Sequence, residues 1–305
     1  MHSPELSEVA RGVWAWVQAD GTWWVNNAGL IAGDDGDILF DTCATERRTR
    51  LLLDAVSVAR PDATLRWAVN SHAHGDHTYG NSLLPRTVTI IGHEQMRATL
   101  AADPVIDGCP PFWSPNPDWG GVVKRLPDVT VAGRTSVWSG DVRVDLQAPG
   151  YPAHTTGDLV AWVPHARVLF AGDLLFAGLT PLAFMGSIDG ALRSLDWVEA
   201  IDAETVVPGH GPVLSGTQIS NEIQRQREYY EFVHAAAEAA WARGASPLEA
   251  ARELDLGRFG DWPDAERIVL NIHRAFADIE GGEVDVMDAF RDAVALHGGP
   301  LRTAV

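Results

Sequence analysis

The chain has 305 residues, 46% of them hydrophobic, and a formal net charge of −18 at pH 7. That length allows one large domain or one domain with an appendage. The negative charge argues against a nucleic-acid partner, because the phosphate backbone would be repelled. No run of about 18 apolar residues occurs in the sequence, so we predict no membrane partner.

The N-terminus and the cysteines indicate the compartment. Glu5, Glu8 and Arg11 follow no apolar stretch, so we expect no secretory signal peptide. Cys43 and Cys109 form neither a CxxC pair nor a dense disulfide pattern, which is typical of the reducing cytosol. We therefore expect a cytoplasmic protein.

The first part of the chain combines strand-like segments with one helix. Apolar positions recur at helical spacing from Thr45 to Ala59, which predicts an amphipathic helix that ends before Pro61. Apolar and aromatic runs predict strands at 13–17, 23–25, 38–40, 65–69 and 88–91.

A His-Ala-His-Gly-Asp-His run follows the predicted strand at 65–69 and places four metal-capable side chains in one turn. His72 and His74 can project to the same side, because side chains alternate along a strand with a period of two. Asp76 and His77 can then point at a second ion a few ångströms away.

Three more metal-capable residues lie at predicted strand ends: His154, Asp173 and His210. The whole set gives seven ligands, enough for two adjacent ions that share one carboxylate. Imidazole and carboxylate suit zinc and, less selectively, iron or manganese. We expect two zinc ions. A surface loop that collected three histidines by chance would not explain the later ligands.

Residues 103–121 contain five prolines and two tryptophans, which exclude regular structure. A long aromatic loop in a compact domain is usually functional, as a lid or a pocket wall. The alternative is a rigid surface loop whose aromatic side chains only cover the core.

The sequence becomes helical after Gly216. An alanine-rich periodic stretch predicts a long helix at 218–243, and a capping box with proline at the first helical position begins at Ser246. Two further helices are expected before the C-terminus. We predict a ligand-bearing domain at 1–216 and a helical extension at 217–305 packed on it.

The ordered ligand set resembles that of the metallo-β-lactamase superfamily. The resemblance covers roughly residues 9–215 and implies an αβ/βα four-layer sandwich, with the metals at one edge between two sheets. It implies one ion held by three histidines, a second held by one aspartate and two histidines, and one aspartate between the ions. In that order, these residues are His72, His74 and His154; Asp76, His77 and His210; and Asp173.

A narrower resemblance extends over nearly the whole chain. Segments 170–181, 184–187 and 271–275 resemble the second-ring cyclase/thioesterases of bacterial aromatic polyketide pathways, of the actinorhodin type. This implies an aromatic polyketide substrate carried on an acyl carrier protein, which the enzyme cyclises and releases by cleaving the thioester.

Two adjacent cations would bind a shared water, lower its pKa and polarise the substrate carbonyl. We expect Asp76 both to bind metal and to orient the water or shuttle its proton, which makes it the candidate catalytic residue. The apolar run after Asp173 is either core or the floor of a pocket, with aromatic residues of the 103–121 loop opposite. Such a pocket suits a bulky planar acyl group. The predicted pocket residues are Phe112, Trp113, Trp119, Leu179, Phe184 and Met185.

Two other function classes stay open. One is a general metallo-hydrolase of another ester, thioester or lactone, although charged coenzyme-binding residues of the glyoxalase II type are not evident after His210. The other is a non-catalytic binding protein, which the complete ligand set disfavours.

Because acyl carrier proteins and this chain are both acidic, docking would need a basic patch. Arg47, Arg48 and Arg50 are one candidate, and a solvated helix face is the alternative.

Overall fold

The computed structural model describes residues 3–19, 21–62 and 64–305. Positions 1, 2, 20 and 63 of the predicted domain lie outside the described residues, and its boundary at residue 216 stays a prediction. The strands are β1 (Glu5–Ala10), β2 (Val13–Val17), β3 (Ala28–Ile31), β4 (Asp37–Phe40), β5 (Leu65–Val69), β6 (Thr89–His93), β7 (Trp113–Ser114), β8 (Val129–Val131), β9 (Arg134–Ser139), β10 (Val142–Gln147), β11 (Val160–Val163), β12 (Val168–Phe176), β13 (Thr205–His210), β14 (Leu214–Ser215) and β15 (Leu301–Arg302). The helices are α1 (Glu46–Ala59), α2 (Gly75–Thr78), α3 (Glu94–Ala102), α4 (Ile188–Glu199), α5 (Thr217–Ala242), α6 (Pro247–Glu253), α7 (Arg267–Glu280) and α8 (Val286–His297).

The strands form two large sheets and a small parallel ribbon. The first sheet has the order β1-β2-β3-β4-β5-β6-β8, and the second has the order β14-β13-β12-β11-β10-β9. In the first sheet β4, β5, β6 and β8 run parallel, and in the second β12 and β13 do. The ribbon pairs β7 with β15.

The two sheets face each other across a shared apolar core. The rings of Phe40 and Phe170, one from each sheet, lie 5.3 Å apart. A Cβ on Gly29 would lie 2.0 Å from the Phe170 ring, so only glycine allows this approach. Helix α1 covers the outer face of the first sheet, and α4, α5 and α7 cover that of the second. The predicted αβ/βα four-layer sandwich with C-terminal helices is confirmed.

Parallel strands bring the ligand candidates to one edge, because their carboxyl ends meet there. β5 leads into the loop of His72, and His210 is the last residue of β13. Asp173 differs from the prediction, because β12 continues through it to Phe176. At Gly172, φ is 52° and the register with β13 shifts. Asp173 therefore follows a bulge inside a strand and not a strand end.

The expected strand at 23–25 is absent from the described structure. Trp24 has a φ of 69°, a left-handed conformation that cannot continue a strand. Trp23 makes a single bridge to Thr303 near the C-terminus. This segment forms a turn because its aromatic rings pack around a cavity described below.

The candidate basic patch on α1 is narrower than predicted. Arg48 is buried, and its guanidinium donates to Gln18 Oε1 over 2.5 Å. Arg50 is exposed and pairs with Glu46 over 2.7 Å. Arg48 lies on the helix face that packs against the sheet, so only Arg47 and Arg50 lie on the surface.

The C-terminal part contains α5–α8, as the periodicity predicts. The capping box at Ser246 is present, with the Glu249 side chain reaching back to the Ser246 amide. His273 lies on α7 and pairs with Asp292 of α8 over 2.9 Å, which indicates a structural contact. Within the described part of the chain, no helix has the length and apolarity needed to cross a membrane.

Candidate metal centre and adjoining cavity

All seven predicted ligands meet at the carboxyl edge of the parallel strands, between the two sheets. They form two groups in which the possible ligand atoms lie within 4.8 Å of one another. The first group is His72, His74, His154 and Asp173, and the second is Asp76, His77 and His210.

In the first group, three imidazoles converge on one point. His74 Nδ1 lies 3.0 Å from His72 Nε2 and 2.9 Å from His154 Nε2. His154 Nε2 lies 3.3 Å from Asp173 Oδ2. Donors bound to one zinc ion at about 2.0–2.1 Å in a tetrahedral arrangement lie roughly 3.3 Å apart. The observed spacing is close to that of a ligand set.

The second group holds one carboxylate between two imidazoles. Asp76 Oδ2 lies 3.2 Å from His210 Nε2 and 3.6 Å from His77 Nε2. Asp76 and His77 lie in the one-turn helix α2, directly after the loop of the first group. The short motif therefore supplies ligands to both groups.

Asp173 lies between the two groups. Its Oδ2 is 3.3 Å from both His154 Nε2 and His210 Nε2, and its Oδ1 is 3.2 Å from His77 Nε2. One carboxylate thus faces ligands of both groups, which is the position the resemblance implies for the shared ligand.

Two buried atoms at this point test whether the residues fit a metal. His77 Nε2 and Asp173 Oδ1 have no hydrogen-bond partner among the described residues, although they lie 3.2 Å apart. Buried polar atoms in proteins are nearly always paired. An imidazole nitrogen and a carboxylate oxygen that face each other without a hydrogen bond suit a shared cation. The donor set fits zinc, iron or manganese.

Burial and charge set the protonation of the two groups. Burial lowers the pKa of the three histidines of the first group, that of His154 to about 4, so their lone pairs are free. Burial acts on His210 in the same direction, but the carboxylates of Asp173 and Asp76 outweigh it and raise the pKa of His210 to about 9. Burial opposes ionisation of Asp173, yet the surrounding imidazoles hold its pKa well below the usual range.

Backbone carbonyls orient two of the imidazoles. His154 Nδ1 donates to Leu182 O over 2.5 Å, and His210 Nδ1 donates to Val25 O over 2.9 Å. A carbonyl can only accept, so each Nδ1 carries a proton and directs Nε2 toward the centre.

Asp41 is a further positioning residue that does not belong to the predicted site. Its Oδ2 lies 2.8 Å from His77 Nδ1, and its Oδ1 accepts from the Ser71 amide over 2.7 Å. Asp41 is buried, has a φ of 60° and directly follows β4. A polar residue after a buried parallel strand was the signal that identified the ligands, and it applies here too.

A cavity of about 490 Å³ opens beside the metal centre. Among the residues that line it are His74, Asp76, Asp173 and His210, so it reaches both ligand groups. Four of the six predicted pocket residues line it as well: Phe112, Trp113, Phe184 and Met185. The apolar run after Asp173 and the aromatic loop thus share one cavity.

Trp119 and Leu179 do not line this cavity, which corrects their predicted place. The Trp119 ring lies edge-on behind Trp24 and Tyr79, with centroid distances of 4.8 and 5.3 Å. Its indole N–H donates to Val105 O over 2.9 Å. Leu179 packs into the core between the second sheet and the helices. Both residues support the walls from behind.

The cavity has two further walls that the sequence does not predict. Trp23 and Trp24 line the cavity from the turn before β3, and Val286, Met287 and Phe290 line it from α8. The two adjacent tryptophans are a visible signal in the sequence, although their pattern predicts a strand. Nothing in the local sequence of α8 indicates which core it faces.

Comparison with known proteins agrees with this geometry. Residues 21–210 match the family model described as the metallo-beta-lactamase superfamily. A hydroxyacylglutathione hydrolase of Rhodospirillum rubrum is 28% identical over 148 residues, which is 47% of each chain. One from Methylococcus capsulatus is 30% identical over 145 residues, 46% of this chain and 45% of that protein. The chain spans about half the length of these curated relatives, which are not polyketide cyclases.

Two solved structures share the fold. A metallo-beta-lactamase from Pontibacter korlensis is 19% identical, with a TM-score of 0.61 over 75% of this chain and 99% of that chain. A sec-alkylsulfatase from Pseudomonas sp. is 18% identical, with a TM-score of 0.70 over 90% of this chain and 50% of that chain. At these identities the likeness extends to the fold alone.

Proposed function

The chain belongs to the metallo-β-lactamase superfamily, and from this premise we propose that it hydrolyses acyl thioesters at the His/Asp centre. One observation carries the proposal: a cavity of about 490 Å³ opens directly onto residues of both ligand groups. The relatives named hydroxyacylglutathione hydrolases support the thioester class. The proposal falls within the broader hypothesis that the sequence raises, a general metallo-hydrolase of another ester, thioester or lactone.

We propose that the centre holds two zinc ions in the two groups described above. When bound, the ions supply Lewis-acid polarisation of the acyl carbonyl and activation of water near neutral pH. The protein's own contribution is orientation. Asp41 and the Leu182 and Val25 carbonyls hold the imidazoles of His77, His154 and His210 so that Nε2 faces the centre.

Asp76 is the proposed catalytic residue of the chain itself. Its carboxylate lines the cavity and lies 3.2 Å from His210 Nε2. From that place it can orient the attacking water and take its proton, while it also binds metal. The apolar walls exclude other water from the acyl group, which strengthens these polar interactions.

The aromatic walls favour a bulky apolar acyl group over a small polar one. Phe112, Trp113 and Phe184 line the cavity, and burial of a ligand against such apolar surfaces contributes roughly 25 cal/mol per Å² of apolar area. This observation keeps a second candidate function: cyclisation and release of an aromatic polyketide carried on an acyl carrier protein. The exposed Arg47 and Arg50 are the remaining candidate contact for such an acidic carrier.

A panel of thioesters tests both proposals. The zinc-replete enzyme is offered lactoylglutathione and the acetyl, naphthoyl and aryl β-keto thioesters of N-acetylcysteamine, with products identified by mass spectrometry. We expect hydrolysis with the highest kcat/KM on the naphthoyl thioester. A ring-closed product from the β-keto thioester supports the cyclase function, and the free acid alone supports a simple thioesterase. Failure to hydrolyse any of these thioesters would overturn the proposal.

A further inference from the structure

We propose that Phe290 sets the size of the acyl group that the cavity accepts. The inference rests on the proposed function, because the cavity is the proposed acyl site. It goes further by assigning acyl selectivity to the C-terminal helices, which lie outside the family-model match at residues 21–210.

Phe290 contacts four aromatic residues that line the same cavity. Its ring centroid lies 5.1 Å from Trp113, 5.6 Å from Trp23, 5.7 Å from Phe112 and 5.6 Å from Phe184. The Phe112 ring is stacked on it at an interplanar angle of 12°. Phe290 is buried and lines the cavity itself. It therefore joins aromatic wall residues from three separate parts of the chain.

A continuous row of rings connects Phe290 to the metal centre. The His74 ring is stacked on Phe184 with centroids 5.9 Å apart, and the Phe184 ring meets Phe290 edge-on at 82°. An acyl group whose carbonyl lies beside the ligands would extend along Phe184 toward Phe290. Two ring contacts separate the ligands from Phe290, a span that an acyl group with fused rings can bridge.

The cavity wall around Phe290 is held in place by the fold. Ala289 and Ala293 on the same helix are fully buried against the neighbouring helices. After α8 the chain returns to the aromatic loop, where the Leu301 amide donates to Phe112 O over 2.7 Å and β15 pairs with β7. Because helix and loop are tied together, the wall cannot yield easily to a longer acyl group.

Three variants of the full-length, zinc-replete protein test this. Phe290→Ala should widen the cavity at this wall, and Phe290→Trp should narrow it. Phe276→Ala is the matched control on α7, packed on Trp241 away from the cavity. Isothermal titration calorimetry measures Kd for naphthoate and anthroate, the product acids with two and three fused rings. Parallel assays measure kcat/KM for their N-acetylcysteamine thioesters.

We expect Phe290→Ala to shift the ratio of the two Kd values by about tenfold in favour of anthroate over naphthoate, with kcat/KM of the thioesters shifted in the same direction. Phe290→Trp should shift the ratio in the opposite direction, and Phe276→Ala should leave it unchanged. An unchanged ratio in both Phe290 variants, or the same shift in Phe276→Ala, would overturn the inference. If Phe290→Ala does not fold, Phe290→Trp and Phe290→Leu carry the test. Shifted Kd ratios without hydrolysis of any thioester would refute the thioesterase proposal and support the role of Phe290.

Discussion

The candidate metal centre and the cavity beside it adjoin each other but are built in different ways. The short run from His72 to His77 supplies ligands to both groups, and each remaining ligand arrives on a strand of the second sheet or the loop before it. The cavity instead combines segments near residues 23, 112, 184 and 290. The candidate metal centre is therefore encoded largely in local motifs, whereas the cavity depends on tertiary packing.

Because the two regions differ in this way, substitutions at the metal centre should reduce turnover on every substrate. Substitutions in the cavity should reduce kcat/KM for some substrates more than for others. The largest effect should come from Asp173→Ala, because this carboxylate lies 3.2–3.3 Å from ligands of both groups. Both ions should bind more weakly, and kcat/KM should fall by about a hundredfold or more for all thioesters. Elemental analysis and a chelator competition measure the loss. Retention of two tightly bound ions would refute a shared ligand.

Asp41→Asn should have a smaller effect of the same kind. The amide can still accept from His77 Nδ1, but it lacks the charge that orients and polarises the imidazole. Metal affinity should fall by about tenfold for the second ion, with equal losses of kcat/KM on acetyl and naphthoyl thioesters. Asp34→Asn, on the exposed hairpin turn, is the matched control. If Asp41→Asn bound zinc as tightly as the control, Asp41 would have no positioning role.

Trp113→Ala tests the cavity wall. Loss of about 60 Å² of apolar contact at roughly 25 cal/mol per Å² costs about 1.5 kcal/mol, so KM for a naphthoyl thioester should rise about tenfold. The acetyl thioester should be nearly unaffected, because it does not reach this wall. Trp138→Ala, at an exposed tryptophan on β9, is the control. Equal losses on both substrates would indicate a structural role for the loop.

Trp119→Phe should have the smallest effect on catalysis, because this ring supports the wall from behind. The variant keeps an aromatic ring beside Trp24 and loses the hydrogen bond to Val105 O. The free energy of unfolding should fall by about 1 kcal/mol, as measured by urea denaturation, while KM for both thioesters stays within about twofold. A rise in KM as large as that of Trp113→Ala would mean that Trp119 does contact substrate.

The sequence predicts most of the fold because the periodic patterns are local. The strands at 13–17 and 65–69 and the helix that begins after Thr45 follow directly from apolar spacing. The failures share a tertiary cause. The strand expected at 23–25 is replaced by a turn whose aromatic rings pack with distant residues, and β12 runs through Asp173 because it pairs with β13.

The residues of the candidate site show the same contrast between local patterns, which the sequence reveals, and tertiary packing, which it does not. The seven candidates that meet at the metal centre are recognisable in the sequence because histidine and aspartate beside predicted strand ends are rare and chemically specific. Leu179 and Trp119 were placed on the cavity surface because an apolar side chain looks the same in sequence whether it lines a cavity or supports it from behind. Phe290 could not be found at all, since only packing decides which face of α8 meets the cavity.

Zinc titration of the metal-stripped protein tests the central claim most directly. After chelation and dialysis, zinc is added back in fractions of an equivalent while hydrolysis of the naphthoyl thioester is followed. We predict that activity is absent without zinc and rises until two ions are bound per chain, as seven converging ligands in two groups imply. Activity that persists in the metal-free protein, or that saturates at one ion, would contradict a two-metal thioesterase.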